Sequence, residues 1–153
     1  MRKMLLMAGA AVLYSAGAHA GDATVEIIQP AAVNQIVALD FGQVANGDGT
    51  VTVPHDGTTP TSTLDLVSGT ANRGEFEVDA AASTNVTVTV DSSVTLTGSC
   101  GSIPVTLTNS VSNPMQDGDP FYVGGIAYIG TAGDGADTVG TCSETFNVTA
   151  DYD

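Results

Sequence analysis

The fold of this protein is decided by residues 144–153, which read ETFNVTADYD. In this stretch Phe146, Val148, Ala150 and Tyr152 alternate with polar residues. Because successive side chains of a β-strand point to opposite faces of its sheet, the alternation predicts a strand with one apolar and one polar face. Such a strand needs partner strands from the rest of the chain, so the partners at its two edges become the functional question.

Further runs with a period of two residues occur along the chain, and Gly, Asn, Asp or Pro separate them. We assign strands to residues 23–29, 33–41, 50–53, 63–67, 75–78, 86–90, 94–97, 103–108, 121–129 and 144–152. No run after Ala20 combines the period of a helix with helix caps. The pattern predicts an all-β protein, an immunoglobulin-like (pilin-like) antiparallel β-sandwich of about ten short strands.

The first twenty residues have the three parts of a bacterial export signal. Arg2 and Lys3 form a basic start, residues 4–16 are mostly apolar, and residues 18–20 read AHA, a small-x-small cleavage site. The apolar run is shorter than the roughly 20 residues that a transmembrane helix needs. We therefore expect residues 1–20 to be a signal peptide and residues 21–153 to be a single β-sandwich domain, secreted to the bacterial cell surface or the periplasm.

The charge of the chain is strongly asymmetric. After Ala20 there are 17 acidic residues against one basic residue, Arg73, which gives this part a net charge of −16. Electrostatics exclude nucleic acid and anionic lipid as partners, and we expect no membrane insertion after signal cleavage. A surface this acidic fits a saline or divalent-rich medium, in which ions screen the repulsion between its charges. The alternative interpretation, equally weighted, is that the charges only keep the protein in solution.

Two cysteines, Cys100 and Cys142, stand in a chain that we expect to be exported, where thiols are oxidised. We expect a disulfide between them, and a closed loop of this length stabilises a fold by about 4 kcal/mol in the chain-entropy model. The alternative is a metal site built on two cysteines. It needs a nearby histidine, and after Ala20 the sequence has one histidine, His55.

The sequence gives catalysis little support. A hydrolytic triad needs a histidine or lysine base beside its nucleophile, and His55 stands in a loop, Pro54-His55-Asp56-Gly57, with no such partner nearby. Paired aspartates could act as acid and base if they were buried, but they lie in sequence typical of turns. We expect no enzymatic activity and no cofactor.

The same aspartates make calcium the one small ligand to consider, because Ca²⁺ prefers six to eight oxygen ligands from carboxylates and loop carbonyls. The candidates are Asp117, Asp119, Asp134 and Asp137. Their spacing lacks the third ligand pair and the closing glutamate of an EF-hand loop. Ordinary solvated turns are the alternative interpretation.

Five segments of the sequence carry a family resemblance: LDFG at 39–42, TVTV at 50–53, GEFEV at 74–78, YVGGI at 122–126 and TFNVTADY at 145–152. They occur in the order seen in the DUF4402 family of exported bacterial proteins, and the chain resembles a member of that family. The resemblance covers nearly all of the sequence after the export signal.

The strand at 144–152 is also similar to the C-terminal strand of chaperone-usher pilins and of spore-coat U domains. In those pilins alternating apolar residues end at a penultimate tyrosine, with a glycine fourteenth from the end; Tyr152 and Gly140 match these positions. The resemblance implies a structural subunit of a fimbria-like surface filament, whose partners are copies of itself, a periplasmic chaperone and an outer-membrane usher. A neighbour's N-terminal segment would complete each sandwich by donor-strand exchange.

The N-terminal segment of this chain has the apolar face that a donated strand requires. Ala23, Val25 and Ile27 alternate with polar residues, but Gln29 falls on the apolar face and Pro30 removes a hydrogen-bond donor. The alternative is that residues 23–29 are the first strand of the molecule's own sandwich. In that case the protein would be a self-contained secreted domain that binds calcium or carbohydrate and does not polymerise.

Overall fold

The computed structural model of the chain describes residues 24–68, 70–130 and 139–153. Regular structure within these ranges is entirely β. The strands are β1 Ala32–Val37, β2 Gln43–Val44, β3 Gly49–Val53, β4 Thr61–Ser62, β5 Leu66–Ser68, β6 Gly74–Asp79, β7 Val86–Val90, β8 Ser93–Gly98, β9 Gly101–Asn109, β10 Pro120–Ile129, β11 Cys142–Ser143 and β12 Val148–Tyr152. The predicted all-β class is confirmed, and none of the described residues belongs to a helix capable of crossing a membrane.

One large antiparallel sheet is built around β10. On one edge β10 pairs with β9; on the other it pairs first with β6, over Pro120–Val123, and then with β3, over Gly125–Ile129. Gly124 lies where the partner changes, and a Cβ at that position would clash with the carbonyl oxygen of Val53. Glycine is therefore required where the two partner strands meet. Outward from these strands, β1 pairs with β6, β8 with β9, β11 with β8 and β4 with β3, while β2 and β5 form a separate ribbon.

The second layer of the sandwich consists of β7 and β12, which pair antiparallel over their whole lengths. The outer edge of β7 is covered by the segment after β9. Val86 exchanges backbone hydrogen bonds of 2.8 and 2.9 Å with Met115, and the side-chain amide of Asn113 bonds both the N–H and the carbonyl of Val88. The outer edge of β12, in contrast, has no strand partner within the described ranges.

The core lies between the large sheet and the β7–β12 layer. Phe121 is fully buried and stacks on Phe76 with ring centroids 5.2 Å apart, and Phe146 meets Phe76 edge-on at 6.0 Å. Full burial of such a ring contributes about 1.5–3 kcal/mol. The apolar faces predicted from the alternation are the faces that meet here, which agrees with the predicted sandwich.

The predicted first strand is wrong in this structure. Residues 24–29 form no strand, and Val25 and Ile27 are 85% and 90% exposed. The physical reason lies at the end of the segment, where Pro30 has no N–H and the Gln29 carbonyl accepts a hydrogen bond from the Tyr152 hydroxyl. A strand ladder therefore cannot continue from β1 into this segment. Ala23, which we included in the strand, lies outside the described residues.

Three other predicted strands differ from the observed ones by three or more residues at one end. The run at 33–41 ends at Val37, and only the last two residues of the run at 63–67 belong to a strand, β5, because a turn forms where the Leu64 N–H donates to the Ser62 hydroxyl. The final strand begins at Val148 rather than at residue 144. Just before it, the Asn147 N–H donates to the Asp91 carboxylate at 2.8 Å instead of joining a ladder.

Candidate functional site

An apolar cleft of about 700 Å³ opens beside Phe146, two residues before β12 begins. Its walls come from the strands β8, β9 and β10, from residues 39–46 and from residues 139–146. Apolar side chains of its lining include Leu39, Phe41, Leu96, Ile103 and Phe146. The charged residues among the described lining are acidic, Asp40 and Glu144.

The cleft exists because the two layers of the sandwich differ in extent. The β7–β12 layer ends at the pair Val90 and Val148, whereas the large sheet continues beneath it through β8 and β9. Leu96 of β8 and Ile103 of β9 are consequently half-buried, although they lie on the inner face of the sheet. The apolar face of the large sheet is therefore left partly uncovered at this end.

The predicted disulfide is confirmed, and it lies at the rim of the cleft. Cys100 and Cys142 are bonded, with their Cα atoms 5.6 Å apart, inside the usual range for such bridges. Close by, the Ser99 N–H donates to the Thr141 carbonyl at 3.0 Å. The bridge thus fixes the segment that forms one wall of the cleft to the turn between β8 and β9.

We call residues 24–28 the arm. Besides Val25 and Ile27, its residue Ile28 is 45% exposed, so three large apolar side chains of the arm face solvent. Isolated apolar residues on a surface are ordinary, but several on one short extended segment mark an interaction site. The arm is the described part of the assembly segment that we predicted from Ala23, Val25 and Ile27.

The arm is attached to the domain at Gln29 through two anchoring contacts. The Tyr152 hydroxyl donates to the Gln29 carbonyl at 2.7 Å and accepts the Ala81 N–H at 2.8 Å. The Gln29 side-chain amide donates to the Asp79 carboxylate, also at 2.7 Å. Tyr152 therefore uses both its donor and its acceptor capacity, and it links the end of β12 to the root of the arm.

The apolar residues predicted for the closing strand lie together on one face. Phe146, Val148, Ala150 and Tyr152 are half-buried and pack against the core, as their alternation indicated. Their partial exposure follows from the unpaired outer edge of β12. The strand leads from the cleft, at Phe146, to the arm root, at Tyr152.

The predicted calcium ligands are brought together only in part. Asp119 accepts the Gln116 N–H at 2.8 Å, which stabilises a turn, and Asp117 accepts the Ala80 N–H at 3.1 Å, which ties that turn to the residue after β6. Asp134 and Asp137 lie outside the described residues. Within those residues no group of three or more potential ligands could hold a metal ion. Calcium binding stays a prediction.

The loop that contains His55 is held by the lone cation of the sequence after Ala20. Arg73 donates to the His55 carbonyl at 3.0 Å, and its guanidinium lies 3.6 Å from the centre of the Tyr122 ring. In the same loop, hydrogen bonds from the Thr58 N–H and then from the Thr58 hydroxyl lower the pKa of the exposed Asp56 carboxyl. These contacts order the loop, and the His55 ring lies beside β9, with its Nδ1 3.2 Å from the Thr108 hydroxyl.

A comparison with known families found a match over most of the chain. The family model described as "Domain of unknown function (DUF4402)" matches residues 31–152, which are most of the chain, so the protein belongs to the DUF4402 family. The matched region begins two residues after Gln29, so the arm precedes it. No curated protein and no solved structure matched the chain.

Sequence reasoning missed the walls of the cleft and the anchor of the arm. All three of Leu39, Phe41 and Leu96 were assigned to strands, which is right for Leu96 alone, and all three pack against the core. Their alternation could not show that the opposite layer is too short to cover them. Gln29 interrupts the apolar alternation of the arm, and this interruption was the available signal for the arm root.

Proposed function

We propose that the protein is a structural subunit of a fimbria-like filament on a bacterial cell surface, in which the arm of one copy enters the cleft of the next. The observation that carries the proposal is that one subunit has both an exposed apolar arm and a partly uncovered apolar cleft. Two such surfaces at different places on one molecule form a heterologous contact, which produces an open chain when the rotation between copies does not close.

The arm suits β-augmentation, the addition of an extended peptide to an open sheet edge. The outer edge of β12 has no strand partner among the described residues, although β1 lies close to it, and the cleft supplies an apolar floor near the start of β12. Burial of an aliphatic side chain contributes about 1.5–3 kcal/mol, so Val25 and Ile27 together would contribute several kcal/mol to each junction. Backbone hydrogen bonds would fix the register.

The remaining features of the sequence fit this role. The export signal predicted at residues 1–20 would take the chain to the periplasm, where a chaperone could cover the cleft and an usher could receive the subunit. The strongly acidic surface makes copies repel one another, and salt screens such repulsion. Assembly should therefore be faster at about 0.5 M salt than at low ionic strength. We propose neither an enzymatic activity nor a cofactor.

Two variants with complementary defects test the proposal. Ile27→Asp places a charge on the apolar arm and leaves the cleft unchanged. Leu96→Asp places a charge in the apolar cleft and leaves the arm unchanged. Each variant should remain monomeric by itself, and a mixture should give 1:1 dimers because one junction remains possible. Light scattering coupled to size exclusion distinguishes these species.

The controls change neighbouring residues that point elsewhere. Glu26→Gln in the arm and Thr95→Asp on the exposed face of β8 should both leave wild-type assembly intact. Polymers from either defective variant alone would contradict the proposal. A wild-type protein that remains monomeric at high concentration and high salt would instead favour a self-contained secreted domain.

A further inference from the structure

We propose that Tyr152 is a positioning residue, whose hydroxyl holds the arm root so that the arm serves the cleft of a second copy and not its own. This inference rests on the proposed function and names the occupant of the cleft. It depends on where the arm begins, where the cleft lies and how far the arm reaches.

The arm root and the cleft lie at opposite ends of the same strand. Phe146, just before β12, lines the cleft, and Tyr152, the last residue of β12, bonds the Gln29 carbonyl. The chain after Gln29 runs in the opposite direction to β12, from the arm root towards the cleft, since β1 follows Gln29 and Leu39 then lines the cleft. The arm therefore starts at the end of the sandwich that is remote from the cleft.

The apolar residues of the arm stay outside the cleft of their own molecule. Six residue steps from Tyr152 back to Phe146 span roughly 20 Å in an extended strand. Val25 is four steps from Gln29 and can lie at most about 14 Å away, and Ile27 is nearer still. With Gln29 anchored, both side chains are exposed and neither lines the cleft. The arm of a second copy has no such restriction.

The anchor is specific in its chemistry. The Tyr152 hydroxyl donates to a carbonyl of the arm root and accepts an N–H from Ala81, so its removal breaks two bonds without changing the ring. The Gln29 amide bond to Asp79 holds the same residue from another side. Each substitution, Tyr152→Phe and Gln29→Ala, should loosen the arm root and leave the core packing in place.

The test places the substitution in one partner of the complementary mixture at a time. In the arm donor, which carries Leu96→Asp, Tyr152→Phe should weaken dimerisation about fivefold, because docking must then order an arm root that the anchor otherwise already holds, at a cost of about 1 kcal/mol. In the cleft donor, which carries Ile27→Asp, the same change should leave the dimer affinity unaltered. Gln29→Ala should reproduce this asymmetry, and Tyr128→Phe, which removes a hydroxyl from β10, should have no effect in either partner.

The possible outcomes separate the inference from the proposed function. If Tyr152→Phe lowers the affinity equally in the arm donor and in the cleft donor, Tyr152 has a general structural role. That result would overturn the positioning role and leave the filament proposal intact. Unchanged affinity from both sides would also overturn the positioning role. A parent mixture that forms no dimer at all would overturn the proposed function and this inference together. A loss confined to the arm donor would establish both.

Discussion

The two halves of the sandwich are built from the same kind of sequence, but they are closed to different degrees. In the closed half, the β7–β12 layer covers β6 and the start of β10, and Phe121 and Val123 are fully buried. In the open half, Leu96 and Ile103 lie on the same sheet but are half-buried beside the cleft. Alternation therefore determines which face of a strand is apolar, whereas the opposite layer determines whether that face is buried.

The largest effect should come from the closed half. Phe121→Ala removes a fully buried ring that stacks on Phe76 and should destabilise the fold by about 3–5 kcal/mol, a large part of the roughly 5–15 kcal/mol that holds a domain together. Phe146→Ala at the cleft should cost less, because that ring is half-buried. Urea unfolding of both variants measures the difference. Equal costs would show that the two halves are equally closed.

Removal of the disulfide should follow in size. The variant with both Cys100→Ser and Cys142→Ser loses a constraint worth about 4 kcal/mol in the chain-entropy model. Removal of a native disulfide from a small domain typically costs about 2–5 kcal/mol. Because the bridge fixes one wall of the cleft, assembly should also slow down. Thermal unfolding of the wild type with and without reductant measures how much the disulfide stabilises the fold. A melting temperature that reductant does not change, with reduction verified by thiol labelling, would contradict this prediction.

In the open half, stability and assembly should respond differently to the same change. Leu96→Ala should destabilise the monomer by less than the roughly 2–5 kcal/mol of a fully buried leucine, because part of this side chain already contacts solvent. It should nevertheless weaken assembly strongly, since it removes part of the apolar floor. Matched urea unfolding and sedimentation measurements test the two effects separately. A variant that loses stability and keeps normal assembly would contradict our interpretation of the cleft.

The smallest effect concerns the His55 loop, which belongs to neither half of the comparison. The pKa of Asp56 is lowered in the folded state, so its stabilising contribution is present above the unfolded pKa of about 3.9 and is lost as the pH falls through the lower folded value. At pH 6 the melting temperature of the wild type should therefore be slightly higher than that of Asp56→Asn. The two proteins should converge as the pH falls below about 4. A difference that is independent of pH would exclude the carboxylate as its cause.

Much of the fold was predictable from the sequence, for reasons that particular residues illustrate. The Val-Thr alternation of β7 and the alternation from Phe146 to Tyr152 are local properties, and so the strands and their inner faces were assigned correctly. The disulfide followed from two cysteines in a chain for which an export signal was predicted. Strand ends were less predictable, because the bonds of Asn147 to Asp91 and of Leu64 to Ser62 compete with the ladder.

The candidate site depends on long-range geometry, which a sequence pattern does not contain. The residues of the arm were recognised, but whether they form a first strand depends on Gln29, whose partners Asp79 and Tyr152 are 50 and 123 residues away. The cleft depends on where the layer above Leu96 ends, and no local signal marks that point. The Tyr152 side chain was singled out through a resemblance, while its bond to the arm root was not foreseen.

The central claim is that the arm of one copy fills the cleft of another, and photo-crosslinking tests it most directly. A benzoylphenylalanine placed at position 27 is irradiated in filaments grown from equal amounts of unlabelled and ¹⁵N-labelled subunits, and mass spectrometry maps the products. Our account predicts crosslinks to Leu39, Leu96 or Phe146 in which half of the products join chains of different isotope composition. Crosslinks confined to single chains, or located on surfaces away from the cleft, would contradict it.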